Sequence, residues 1–166
     1  MSPQQPATVP ERAPFCGLPQ MSRLLQAAVA AFCFASQCSA ADLSAVLAEP
    51  NLEKRSEKAI GHAHKALDAA RAAYREGDTD QMNGGFDELL RSIELAKKSL
   101  DESGKNARKS PKYFKKAEIN LRKLNTRMDN FRVEMSVEDR APIEKIIERS
   151  IHIRDEILEA IMGKKK

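Results

Sequence analysis

Residues 110–135, SPKYFKKAEINLRKLNTRMDNFRVEM, decide the fold class. Phe114, Ala117, Leu121, Leu124, Met128, Phe131 and Met135 recur at spacings that alternate between three and four. An α-helix turns once in about 3.6 residues, so these side chains share one face while Lys, Arg, Asn and Glu fill the other. A half-buried strand would instead alternate every second residue. Ser110-Pro111 reads as an N-cap followed by proline at the first helical position.

The same rule extends to both sides. Upstream, Met82, Phe86, Leu89, Ile93, Ala96 and Leu100 form one stripe, and Ile60, Ala63, Leu67, Ala70 and Tyr74 form another. Gly77-Asp78-Thr79-Asp80 separates the two and supplies cap chemistry, and Gly104 ends the second. Seven alanines between Ala59 and Ala73 make the first of these helices slim. Downstream, Ser136-Val137-Glu138-Asp139 resembles a capping box with Asp in the Glu position. Pro142 removes a helical donor, so a kinked first turn or a start near Arg140 is expected. Ile143, Ile146, Ile147, Ile153, Ile157, Leu158 and Ile161 then make a wide apolar face.

Four amphipathic segments joined by short connections predict an all-α domain over residues 41–166, an antiparallel up-down four-helix bundle. Ala73-Tyr74-Arg75-Glu76-Gly77-Asp78 resembles the turn inside a tetratricopeptide repeat, where a Tyr precedes a Gly-Asp or Gly-Asn turn. That resemblance implies helical hairpins as the alternative fold. No second copy follows one repeat later, and Asn83 and Asp87 stand where the motif has small and aromatic residues.

The N-terminal region has another character. Residues 1–20 hold five of the eight prolines and no apolar period, and read as an extension, with Met21 expected as the first translated residue. From Met21, a short positive start (Ser22, Arg23) leads into LLQAAVAAFCFA (24–35) and then SQCSA (36–40). This is the order of a secretory signal peptide over residues 21–40, with cleavage expected after Ala40 or one residue later. The apolar run covers about 18 Å as a helix, too little for about 30 Å of hydrocarbon. Cys16, Cys33 and Cys38 all precede the expected cut, so the processed chain would lack thiols.

Composition narrows the function. Charged residues at 31% with aromatics at 5% exclude a polytopic membrane protein, and seven Gly with eight Pro leave little turn chemistry for an all-β fold. A formal charge of +4 is ordinary mixed surface. No Gly-x-Ser-x-Gly elbow, phosphate-binding Gly loop or His-Glu-x-x-His occurs, so no enzyme is expected. His62 and His64 are two apart and point to different sides of a helix, and His152 has polar helical neighbours in Arg149 and Glu156. All three are therefore expected on the surface, with no metal and no cofactor. A periplasmic haem- or metal-binding bundle is the alternative, since such bundles ligate through Met and His.

One anomaly remains. Lys105, Arg108, Lys109, Lys112, Lys115, Lys116, Arg122, Lys123 and Arg127 face a single acid, Glu118, within residues 105–127. Lys164, Lys165 and Lys166 add charge at the C-terminus. Lys105, Arg108, Lys109, Lys112, Lys115 and Lys116 are the candidate residues for binding an anion or a partner. The expected partner is an unidentified protein or an anionic envelope component, lipid head groups or acidic polymer. Nucleic acid is a poor match to an exported chain. The sequence thus predicts an exported, cofactor-free helical binding, scaffold or chaperone-like protein of the bacterial envelope, periplasmic or secreted.

Overall fold

Asn51 starts the first long helix: its side-chain oxygen accepts a hydrogen bond from the Lys54 N–H at 2.9 Å, satisfying a donor the helix itself cannot. In the computed structural model, which describes residues 38–163, α1 spans Cys38–Leu47, α2 Leu52–Glu76, α3 Thr79–Glu102, α4 Lys112–Glu134 and α5 Ala141–Met162. A single 3-10 turn, Val137–Asp139, precedes α5. Every regular element among the described residues is helical. Residues 1–20, the greater part of 21–40 and Lys164, Lys165 and Lys166 lie outside the described residues. The expected cleavage point after Ala40 falls in the first turn of α1.

The α2–α3 turn is built by two adjacent residues. Gly77 takes φ 76°, a left-handed conformation that favours glycine, and its N–H donates to the Tyr74 carbonyl at 3.1 Å. The Asp78 N–H reaches back to the Ala73 carbonyl at 2.9 Å, while its carboxylate caps α3 through the Gln81 N–H at 2.9 Å. Other caps differ from expectation. Ser110 does not cap α4: the residue before the helix is Pro111, which has no side chain to do so. Asn106 organises this connection instead, its Oδ1 accepting from the N–H groups of Arg108 and Lys109. At 136–139 the Ser136 hydroxyl donates to the Asp139 carboxylate at 2.7 Å, and the helix proper begins at Ala141, with Pro142 in its first turn. Leu43, Val46 and Leu47, ahead of Pro50, belong to a fifth helix, α1, which packs on α2.

The stripes form one core. Leu89, Ile93, Leu121, Leu124, Met128 and Ile143 are fully buried, and Phe131 lies edge-on to Tyr74 with ring centroids 5.7 Å apart. The order of helices around that core is a finding the sequence did not contain. Ion pairs link Glu57 to Lys116, Asp68 to Arg127 and Glu134 to Arg71, so α2 and α4 run parallel. Glu94 with Arg149 and Glu156 with Lys97 make α3 and α5 parallel as well. His62 with Ser92 and Asn125 with Ser150 mark α2–α3 and α4–α5 as antiparallel hairpins. The chain-consecutive helices α3 and α4 barely touch, whereas α2 packs on α4 and α3 on α5. Two hairpins are therefore stacked like against like, in the ring order α2, α3, α5, α4.

The α2–α3 pair is the most intimate, and the alanines of α2 permit it. A Cβ placed on Gly85 would stand 2.9 Å from the Ala70 Cβ and 3.2 Å from its Cα. One placed on Gly84 meets nothing within 4 Å. Opposite results are expected from neighbouring substitutions. Gly84→Ala should raise stability by about 0.5–1 kcal/mol, the difference in helix propensity. Gly85→Val should lower it by about 1–3 kcal/mol through overpacking. Urea midpoints read both, and equal signs would contradict the close approach.

Candidate functional site

The parallel register of α2 and α4 brings their N-terminal turns together, and the 103–111 connection and the C-terminus of α5 join them at the same end. Each basic residue of this segment acquires its own surroundings there. Lys105 pairs with Glu53, which is buried, and stands 5.8 Å from the Tyr113 ring centre. The Glu53 hydrogen bond holds the Lys105 ammonium above the ordinary lysine range. Arg108 donates to the Met162 carbonyl at 3.1 Å, tying the connection to the last turn of α5. Lys116 pairs with Glu57 at 2.6 Å.

The sequence shows a single acid, Glu118, within residues 105–127, but the fold brings two more to these positions. Glu53 and Glu57 belong to α2, far away in sequence, and only the stacking of the hairpins delivers them. Lys109 and Lys115 have no carboxylate partner among the described residues, and Lys112 rests 5.6 Å from the Tyr113 ring centre without one. These three ammonium groups are exposed. Phe114, next to Tyr113, turns inward and is buried.

The histidines are corrected too. His152 is exposed, as expected, beside Glu156 at 3.0 Å. His62 is buried, with Nδ1 2.9 Å from the Ser92 hydroxyl and Nε2 3.3 Å from Glu88. The reason is that α2 packs against α1, α3 and α4 at once, so its buried arc is wider than one apolar stripe. Ser92 is fully buried in a helix and its hydroxyl donates to the Glu88 carbonyl at 2.7 Å, so Ser92, His62 and Glu88 form a polar network between α2 and α3. Among the described residues no three His, Cys, Asp or Glu side chains converge as a metal site would require.

His64 is half-buried on the α2–α4 seam, and Arg127 Nη1 donates to its Nδ1 at 2.8 Å. Burial and the Arg127 charge push the imidazole below its ordinary pKa. A base depressed in the folded state binds its proton first in the unfolded chain. Stability from this group is therefore complete above the ordinary histidine value of 6.5 and declines as pH falls below it. Denaturation midpoints at about pH 7 and pH 5 are expected to differ less in His64→Gln than in the parent. An equal pH response would remove the role given to His64.

Comparison with protein-family models, curated proteins and solved structures returns no match for this chain. The class it defines is an all-α protein, and no helix among its described residues is long and apolar enough to cross a membrane.

Proposed function

We propose that this chain is an exported, non-enzymatic binding module, a four-helix bundle of the cell envelope that meets an anionic partner with the end formed by residues 105–116. One observation carries the reading: Lys109, Lys112 and Lys115 are exposed at one end of the bundle with no carboxylate partner among the described residues. Basic side chains held for solubility alone are usually interspersed with acids, as Lys116 and Arg127 are along the α2–α4 seam. The order of charge, apolar run and small residues from Met21 to Ala41 supports export. Cleavage after Ala40 would begin the processed chain inside α1.

Two measurements test it. Mass spectrometry of the cell-derived protein is expected to find an N-terminus at Ala41 or Asp42. Intact residues 1–40 on a cytoplasmic protein would overturn export. Reversal of Lys109, Lys112 and Lys115 to Glu is expected to abolish salt-sensitive binding to acidic vesicles or polymer and to leave helix content unchanged. Exposed charges are screened over about 8–10 Å near physiological salt, so the parent's binding should weaken steeply as salt rises. Lys116 stays untouched because its reversal would set two carboxylates against each other at Glu57. Equal binding by the triple variant would reduce the segment to solvated surface.

A further inference from the structure

The uncompensated charge does not stop at the connection. Lys112, Lys115, Ile119 and Lys123 follow at spacings of three, four and four along α4, which puts them on one face, and all four are exposed. Ile119 is 43% exposed in the middle of that face. The acids of α4 leave it clear. Glu118 is buried and held by Arg122 at 3.1 Å, and Asp129 and Glu134 lie in the last two turns beside Arg132 and Arg71. Lys123, like Lys112 and Lys115, has no carboxylate partner among the described residues. The first three turns of α4 therefore present lysines around an isoleucine over roughly 16 Å.

We infer that this face of α4 docks on an anionic phospholipid bilayer, with Lys112, Lys115 and Lys123 at the phosphate groups and Ile119 entering the acyl boundary. The inference rests on the anion-binding reading above and extends it along the helix. Charge complementarity selects an anionic surface, and the isoleucine selects a lipid one. A soluble polyanion offers phosphates or carboxylates to the lysines but no apolar phase to the Ile119 side chain. A bilayer offers both, and the long lysine stems let the ammonium groups stay at head-group level while the helix lies flat. No described helix is able to span a membrane, so the contact is with the surface.

The test uses residues 37–166, one compact unit that carries every core residue among those described and excludes the apolar run at 24–35. Flotation with vesicles of equal parts phosphatidylglycerol and phosphatidylcholine is compared with pure phosphatidylcholine, and inorganic polyphosphate serves as the soluble polyanion. Binding to the acidic vesicles only is expected, falling about fivefold or more in Lys123→Glu. Ile119→Ser should weaken vesicle binding about threefold or more and leave polyphosphate binding unchanged. Ile119 is exposed, so this variant should keep its fold, which circular dichroism verifies. Vesicle binding by Ile119→Ser equal to the parent's would overturn the lipid assignment, as would unaltered binding by Lys123→Glu. If those two variants bind normally while reversal of Lys109 and Lys112 abolishes binding, the α4 face is excluded and the anion-binding end stands. If none of the changes matters, both readings fall.

Discussion

Truncation of Leu121 or Leu124 to Ala is expected to lower the unfolding free energy by about 2–5 kcal/mol. Both side chains are fully buried and face the centre of the ring formed by α2, α3, α5 and α4. The loss has two parts: apolar surface that no longer leaves water on folding, and a cavity that surrounding helices close only partly. Closure is hard here, because neighbouring positions on the same helix, Met128 and Phe131, are themselves fixed in the core. The result should appear as a lower denaturant midpoint with an unchanged slope, since the folded and unfolded surfaces stay nearly the same. Val133, 70% exposed on the same helix, is the internal control, and Val133→Ala should change stability by less than about 0.5 kcal/mol. Losses below that figure at both leucines would mean that the stripe faces solvent and that the core has been misassigned.

The second large effect is expected at His62. The Ser92 hydroxyl donates its proton to the Glu88 carbonyl, so its oxygen is left to accept from the imidazole Nδ1–H. His62→Leu removes that donor and leaves the buried Ser92 oxygen short of a partner, at a cost of about 1–3 kcal/mol. Ser92→Ala strands the imidazole N–H in the same way. Removing both together should cost less than the sum of the two, because neither end of the His62–Ser92 contact is then left unsatisfied, while the lost Nε2–Glu88 contact is common to both His62 variants and cancels in the cycle. A coupling energy of about 0.5–3 kcal/mol from the double-mutant cycle is the expected reading. Additive losses would show that the 2.9 Å contact contributes nothing to stability.

These two predictions rest on different sources. Spacing alone places Leu121 and Leu124 in the core, and their burial agrees. His62, two residues from His64 and off the apolar stripe, reads as a surface residue, yet it is buried. A residue outside the main stripe is exposed on a helix with a single partner and buried on a helix with three.

What the sequence determined by itself is local. Period, glycine and proline placement and cap residues are short-range quantities, so they gave the four long helices, the Gly77-Asp78 turn and the delayed start of α5 before Pro142. They missed α1, whose three large apolar residues, Leu43, Val46 and Leu47, are too few to establish a period. They misplaced the cap of α4, where Ser110 competes with the turn that Asn106 closes. Tertiary structure alone decided the ring order, because the 103–111 connection can reach either an adjacent or a diagonal position and no residue in it specifies which. That order in turn decided the charge of the candidate site. Coulombic neutralisation needs a partner within a few ångströms, and whether Lys105 and Lys116 have one depends on α2 lying parallel to α4, which sets Glu53 and Glu57 beside them. Spacing along one helix identifies which lysines share a face, but only the packing of that helix against another determines which of them remain free to bind.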